Sequence, residues 1–120
     1  MIKLLLVEDD ASLRYIVQGG LEDMIGGYEV IAAANGEEGL KQWKEQHPDV
    51  IVSDIEMPVM NGLVATRKIR EFNSDIPIVA LTANAFDTDR ASAMDAGCNA
   101  FLPKPVKRKQ LFELLSGACR

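Results

Sequence analysis

The chain is poor in the features that mark membrane, secreted and nucleic-acid-binding proteins. No apolar stretch in its 120 residues approaches the length of a membrane span. The short apolar run at the N-terminus leads straight into acids, which is not the pattern of a signal peptide. Positive charge is also scarce, because 13 Lys and Arg against 18 Asp and Glu give a formal net charge of −5. We therefore expect no membrane association and no direct nucleic acid binding.

Cysteine and histidine are few and scattered. Cys98 and Cys119 lie far apart, with no CxxC or CxxH spacing, and His47 is the single histidine. A lone histidine without partners makes a poor metal ligand or general base. Two unmatched cysteines are typical of reduced thiols in a reducing compartment. We therefore predict a cytoplasmic protein.

Short apolar runs alternate with segments of helical periodicity along the whole chain, and 48% of the residues are hydrophobic, enough for one core. The predicted strands are Ile2–Val7, Tyr28–Ala33, Val50–Asp54, Ile76–Thr82 and Ala100–Leu102. The predicted helices are Ser12–Met24, Gly36–Gln46, Leu63–Phe72, Asp87–Ala96 and Lys107–Ala118. This alternation predicts one α/β domain over residues 1–120, a doubly wound, flavodoxin-like sheet of five parallel strands in the order 2-1-3-4-5 with five helices.

Acidic residues follow two strands that this order makes neighbours. Glu8 and Asp9 end the first strand, and Asp54 ends the third. Clustered carboxylates repel one another unless a cation lies between them, and hard oxygen ligands suit Mg²⁺, which keeps several waters and usually also binds a phosphate. Capping of the following helix is an alternative role for Asp9 and Asp10. It does not apply to Asp54, because a Met-Pro loop follows that residue.

A hydroxyl and an amine end two further strands. Thr82 closes the fourth strand, and Lys104 stands between Pro103 and Pro105 after the fifth. Two prolines restrict the backbone around Lys104, which suits an ammonium that must reach a fixed anion. A strand or helix-cap role for Thr82 and a solvated turn for Lys104 stay open at the level of single residues.

Taken together, these motifs resemble those of the receiver domains of two-component response regulators. The resemblance covers essentially the whole chain, and the residues of its motifs are most similar to those of receivers in hybrid sensor histidine kinases. The motifs that carry it are Leu5-Leu6-Val7-Glu8-Asp9-Asp10, Asp54-Ile55-Glu56-Met57-Pro58-Val59-Met60-Asn61-Gly62, Ala80-Leu81-Thr82-Ala83 and Phe101-Leu102-Pro103-Lys104-Pro105.

The resemblance implies a role for each acidic residue. Asp54 corresponds to the residue that receives a phosphoryl group from a histidine kinase or a histidine phosphotransfer protein. Asp9 corresponds to a direct Mg²⁺ ligand and Glu8 to the acid that holds metal-bound waters. Glu56 corresponds to the position whose backbone carbonyl completes the metal shell.

The resemblance also implies how the phosphoryl group is held and detected. Thr82 corresponds to the hydroxyl that bonds it and Lys104 to the lysine that pairs with it. Phe101 occupies an aromatic switch position, and the surface around the fourth helix, fifth strand and fifth helix is expected to change. Such a domain promotes phosphorylation and dephosphorylation of its own aspartate, so it is a signalling domain and not an enzyme. A downstream protein target and a phosphorylation-dependent dimer are consistent with this role.

Two other classes of function use related parts. A haloacid-dehalogenase-type hydrolase also combines a strand-end aspartate, Mg²⁺, a threonine and a lysine, but it needs an Asp-x-Asp pair after its first strand, where this chain has Glu8-Asp9-Asp10. A flavin-binding module needs an anion cradle at that place, and these acids would repel a cofactor phosphate. The sequence leaves open whether the receiver stands alone or belongs to a longer protein.

Overall fold

Five parallel strands form one sheet at the centre of the molecule. The computed structural model describes residues 2–54, 62–73, 75–82, 87–103, 109–111 and 113–114. The sheet has the order β2-β1-β3-β4-β5 and every pairing is parallel, which confirms the predicted fold class. Its strands are β1 (Ile2–Val7), β2 (Tyr28–Ala33), β3 (Val50–Asp54), β4 (Ile78–Thr82) and β5 (Ala100–Pro103).

Helices connect the strands and cover both faces of the sheet. They are α1 (Ala11–Gly19), α2 (Gly36–Gln46), α3 (Gly62–Arg70), α4 (Asp87–Ala96) and a last helix, α5, described at residues 109–111 and 113–114. Helix α1 continues as a π-helical segment, Gly20–Ile25, which ends at Gly26 with φ of 77°. In the described ranges, no helix has the length and apolar character that a membrane crossing requires.

Helix α1 begins with a cap made by an acidic side chain. Asp10 Oδ1 accepts hydrogen bonds from the backbone N–H groups of Ser12 (2.8 Å) and Leu13 (3.3 Å). These bonds satisfy two donors that the first turn of a helix otherwise leaves unpaired. The side chain of Asp10 therefore serves the helix, which leaves Glu8 and Asp9 as the acids available at the carboxyl end of β1.

The side chains of the strands alternate between two hydrophobic layers, as the pleat of a strand requires. Under α2, α3 and α4 the layer includes Leu5, Val7, Ile51, Ile69 and Ile78. Under α1 and α5 it includes Leu4, Leu6, Val17, Leu21 and Leu111. Strands β3 and β4 are buried at every position, which explains why Val50–Val52 and Ile78–Leu81 are unbroken apolar runs.

Two residues that helical spacing assigns to the core lie outside it. Phe72 falls within the predicted third helix, Leu63–Phe72, but α3 ends at Arg70, so Phe72 lies in the following turn and is 75% exposed. Ile16 is 47% exposed. The face that α1 buries is narrower than the sequence pattern suggests, with Val17 and Leu21 as its buried anchors.

An arginine ties the end of α3 to the segment between α4 and β5. Arg70 donates from Nε to the Gly97 carbonyl (2.9 Å) and from Nη2 to Asn99 Oδ1 (2.7 Å). Asn99 Oδ1 also accepts from the Ile78 N–H (2.9 Å). One amide oxygen therefore joins the start of β4, the end of α3 and the entry into β5.

The cysteine of this segment is a buried, free thiol, as the sequence suggests. Cys98 is 6% exposed and lies 3.9 Å from Thr66 Oγ1. Burial raises the pKa of the Cys98 thiol, while the Thr66 contact and the charge of Arg70 oppose that rise. Cys119 lies outside the described residues.

Gly39 allows α2 to approach β1 closely, and replacing it with alanine is expected to destabilise the protein. A Cβ at Gly39 would lie 2.8 Å from Cγ2 of Val7, a buried and β-branched side chain that turns away with difficulty. Helix propensity alone would favour alanine by about 1 kcal/mol. We expect overpacking to outweigh this, so that Gly39→Ala lowers the free energy of unfolding by roughly 1–2 kcal/mol in urea denaturation. Adding Val7→Ala should make Gly39→Ala less damaging, and a stabilised single variant would contradict the close approach.

Candidate functional site

Three carboxylates meet where β1 and β3 end. Glu8 and Asp9 follow Val7, which pairs with Ser53, so they lie level with Asp54 on the neighbouring strand. One oxygen from each of the three carboxylates lies within 4.8 Å of the other two. Glu8 is 0% and Asp54 2% exposed, whereas Asp9 is open to solvent. The structure therefore brings together three of the predicted site residues, and solvent reaches them from the side of Asp9.

The backbone of Glu8 is held from two directions. Its N–H donates to the Ala33 carbonyl of β2 (2.9 Å), and its carbonyl accepts from Nη1 of Arg14 on α1 (2.6 Å). The sequence reasoning did not single out Arg14. Its signal is its place in the helix directly after the acidic run, where a long cationic side chain can reach back to the strand end. Arg14 thus acts as a positioning residue for the acidic cluster.

Thr82 and the residue that precedes Lys104 lie on the next strands along the sheet. Asp54 pairs with Leu81, so Thr82 stands one residue beyond the level of Asp54, and it is fully buried. Thr82 in turn pairs with Pro103, the residue that precedes Lys104. The order of the strands therefore brings the carboxyl ends of β3, β4 and β5 next to one another at the same end of the sheet.

Two of the predicted site residues, Glu56 and Lys104, lie outside the described residues. The roles expected for Glu56 and Lys104 stay predictions. Phe101, the expected aromatic switch, is half-buried and packs against the hydrophobic layer under α2, α3 and α4.

The acidic cluster fits a hard divalent cation. Its donors are carboxylate oxygens alone, two of them on buried side chains. Buried carboxylates this close together repel one another in a low-dielectric environment, and a bound cation offsets that repulsion. Mg²⁺ is commonly held by one or two carboxylates together with waters and a phosphate, which agrees with a cluster that is buried on one side and open on the other.

The comparisons with known proteins agree with this arrangement. The family model described as the response regulator receiver domain matches residues 4–116. A probable transcriptional regulator, ycf27, of Porphyridium aerugineum is 38% identical over 109 residues, which is 91% of this chain and 44% of that protein. Response regulator MprA of Mycolicibacterium vanbaalenii is 33% identical over 119 residues, 99% of this chain and 51% of that protein. The chain thus spans about half the length of the curated relatives it matches.

Solved structures match along almost the whole chain. The chemotaxis protein CheY4 of Vibrio cholerae has a TM-score of 0.88 and 33% identity, covering 98% of both chains. The receiver domain of the sensor histidine kinase PA1611 of Pseudomonas aeruginosa has a TM-score of 0.89 and 36% identity, covering 98% of this chain and 97% of that one, and it was solved with a magnesium ion coordinated in its active site cleft. With its sheet order, its acidic cluster and a family model that spans nearly all of it, this chain belongs to the response regulator receiver domain family.

Proposed function

We propose that the chain is a phosphoacceptor switch of a two-component system, in which Asp54 receives a phosphoryl group from a phosphohistidine in a Mg²⁺-dependent reaction. The observation that carries the proposal is the meeting of Glu8, Asp9 and Asp54, with oxygens within 4.8 Å of one another. Family membership supports the same reading, and so does the related sensor-kinase receiver that holds magnesium in its active site cleft.

In this proposal the residues divide the work of phosphoryl transfer. Glu8 and Asp9 hold Mg²⁺, which, when bound, supplies positive charge against the phosphoryl oxygens. A carboxylate oxygen of Asp54 attacks phosphorus, the P–N bond to the donor histidine breaks, and its electron pair leaves with the imidazole. The product is an acyl phosphate on Asp54. Such transfer depends mainly on in-line positioning and charge. A buried nucleophile at the carboxyl end of β3 favours that positioning.

Thr82 and Lys104 are proposed to hold the product. A phosphoryl group on Asp54 adds nearly two negative charges and three acceptor oxygens. In this proposal the hydroxyl of Thr82, a residue of the strand next to that of Asp54, donates to the phosphoryl group, and the Lys104 ammonium pairs with it. Glu56 is proposed to complete the metal shell through its backbone carbonyl.

We propose that α4 and its surroundings report the modification. Of the α4 side chains that are described, Ala96 alone is buried, and Met94 is 40% exposed. Met94 is the one large apolar residue in the sequence of α4, so this helix has little packing energy to hold one position. Movement of Thr82 toward a phosphorylated Asp54 would favour a second position of α4, with Phe101 turning inward beneath it.

The proposed partners follow from the chemistry of the donor and the signal. A histidine kinase or a histidine phosphotransfer protein supplies the phosphoryl group, and the surface of α4, β5 and α5 offers the altered face to a downstream protein or to a second receiver. These steps take place in the cytoplasm, where the reduced state expected of Cys98 is maintained. The domain acts on its own aspartate and not on a released substrate.

Incubation with acetyl phosphate and MgCl₂, followed by intact mass, tests the proposal. We expect a mass gain of one phosphoryl group per chain, which is lost when EDTA replaces magnesium. The label should disappear in alkaline hydroxylamine, as an acyl phosphate does. Sustained turnover of p-nitrophenyl phosphate without a stable label would instead support the haloacid-dehalogenase-type hydrolase, and labelling that ignores EDTA would contradict the role of the acidic cluster.

A further inference from the structure

Helices α2 and α3 border an open groove at the end of the sheet where the strands begin, opposite the acidic cluster at the carboxyl ends of the strands. Both helices end there, because Gln46 and Arg70 precede the starts of β3 and β4. The larger hollow, of about 470 Å³, is lined by Trp43, Lys44, His47, Pro48, Phe72 and Asn73. A smaller one, of about 270 Å³, shares Trp43, Lys44 and Phe72 and extends along the helices to Leu40, Lys68 and Glu71. We call the two hollows together the α2–α3 groove.

Two aromatic rings form the floor and wall of the α2–α3 groove. Trp43 packs half-buried against the core, and its ring centroid lies 6.2 Å from that of Phe72 at an interplanar angle of 40°. Phe72 remains 75% exposed. An aromatic ring that folding leaves open to water beside a second, half-buried ring is the kind of group that anchors protein interfaces. Packing within the domain does not use this surface of Phe72.

Two lysines flank the aromatic rings. Lys44 of α2 and Lys68 of α3 are both exposed and both line the groove. Within the described part of the chain, neither makes an ion pair within 4.0 Å; the ion pair found there joins Arg67 and Asp95 at 3.5 Å. In a chain with a net charge of −5, these cations make the groove complementary to carboxylates. Glu71, which also lines the smaller hollow, reduces that complementarity on its side of the groove.

We propose that the α2–α3 groove binds an acidic peptide segment of a partner protein. An aromatic or aliphatic side chain of the segment rests on Trp43 and Phe72, and carboxylates on either side of it bond to Lys44 and Lys68. The groove is long enough along the helices for such a segment because Leu40, Trp43 and Lys44 line it along one face of α2 and His47 follows directly after the helix. A single anchor with two charge contacts gives weak, transient binding, with Kd on the order of 10–100 μM.

The groove and the acidic cluster lie at opposite ends of the strands, so peptide binding in the groove does not need phosphoryl transfer. A chain with Asp54→Asn should bind the peptide as the unmodified chain does. Failure of the labelling experiment would therefore leave the groove proposal standing, and failure of peptide binding would leave the phosphoacceptor proposal standing.

Trp43 makes the test direct, because it is the single tryptophan of the chain. The probe is a capped helical peptide with a central phenylalanine and four glutamates, titrated while Trp43 fluorescence and amide chemical shifts are recorded. Two further peptides replace the phenylalanine with alanine or the glutamates with lysines. We expect saturable changes centred on α2 and α3, a Kd at least about tenfold weaker for either altered peptide, and weaker binding in higher salt.

Matched variants separate the groove from general surface effects. Phe72→Ala and the double variant Lys44→Glu, Lys68→Glu should each weaken binding by about tenfold or more. Lys41→Glu, an exposed lysine of α2 that does not line the groove, and Tyr15→Ala, an exposed aromatic of α1, should change Kd less than about twofold. Circular dichroism verifies that each variant is folded.

Three results would overturn the proposal. The first is the absence of saturable changes up to about 1 mM peptide, which is the weak limit of such contacts. The second is equal binding of the glutamate and lysine peptides. The third is a concentration-dependent change in Trp43 fluorescence without peptide, accompanied by dimers in sedimentation, which would assign the groove to a second copy of the chain.

Discussion

Replacing Asp54 with asparagine is expected to abolish phosphorylation by acetyl phosphate. The amide keeps the size of the side chain but removes the anionic oxygen that attacks phosphorus, so the labelling rate should fall by at least about 100-fold. Because Asp54 is 2% exposed and close to two other carboxylates, the substitution should not destabilise the fold in the absence of metal. Intact mass after a timed incubation with MgCl₂ gives the rate.

Asp10→Asn is the matched control for this loss. Asp10 lies beside the cluster but caps α1 with its side chain, and asparagine caps a helix about equally well. It removes the same unit of charge near the site while leaving the three clustered carboxylates intact. Labelling of this variant within about threefold of the original rate is expected, since an exposed charge nearby contributes little. Equal loss in both variants would show that net charge near the site, and not Asp54, limits the reaction.

Magnesium is expected to stabilise the folded chain, and Asp9→Asn to remove that stabilisation. A cation that binds only the folded state raises the free energy of unfolding, by about 2.7 kcal/mol when its concentration is 100 times its Kd. Asp9 is the solvent-facing member of the cluster, so its replacement weakens the metal site without opening the core. Urea denaturation with MgCl₂ and with EDTA measures the difference for each variant.

We expect EDTA and MgCl₂ to give opposite orders of stability for the original chain and the Asp9→Asn chain. In EDTA the Asp9→Asn chain should be at least as stable as the original, because one of three mutually repelling charges is gone. In MgCl₂ the original chain should be the more stable. Glu45→Gln, an exposed acid at the far end of α2, serves as the control and should keep the full magnesium effect. An original chain whose unfolding ignores magnesium would remove the basis for assigning a metal to the cluster.

Local pattern predicted most of the fold because buried parallel strands and turn residues have strong signatures. The bounds of β1, β2, β3, α2 and α4 agree with the sequence prediction. The prediction extended β4 back to Ile76, whereas the strand begins at Ile78. Asn73 Oδ1 accepts the N–H groups of Asp75 (2.8 Å) and Ile76 (3.1 Å), so a side chain takes the place of the sheet there.

Some features depended on contacts that sequence spacing does not encode. Glycine has a low helix propensity, but at Gly39 it allows α2 to approach Val7 closely. Phe72, predicted within the third helix, lies beyond the end of α3, with its ring tilted by 40° against that of Trp43. In both cases the residue's contact partner lies on another element of the fold. The distance to that partner is set by how the layers pack, which local sequence does not encode.

By itself the sequence determined the fold class, the order of the strands and the identity of the acids, because apolar periodicity, chain connectivity and the handedness of crossovers leave few arrangements open. The tertiary structure decided between the capping and clustering roles that the sequence left open: Asp10 caps α1, while Asp9 joins Glu8 and Asp54, with oxygens within 4.8 Å of one another across two strands. It also decided that Arg14 holds the backbone of Glu8 and that α2 and α3 leave an aromatic groove open. Such results depend on distances between residues far apart in the chain, and those distances are set by register and packing.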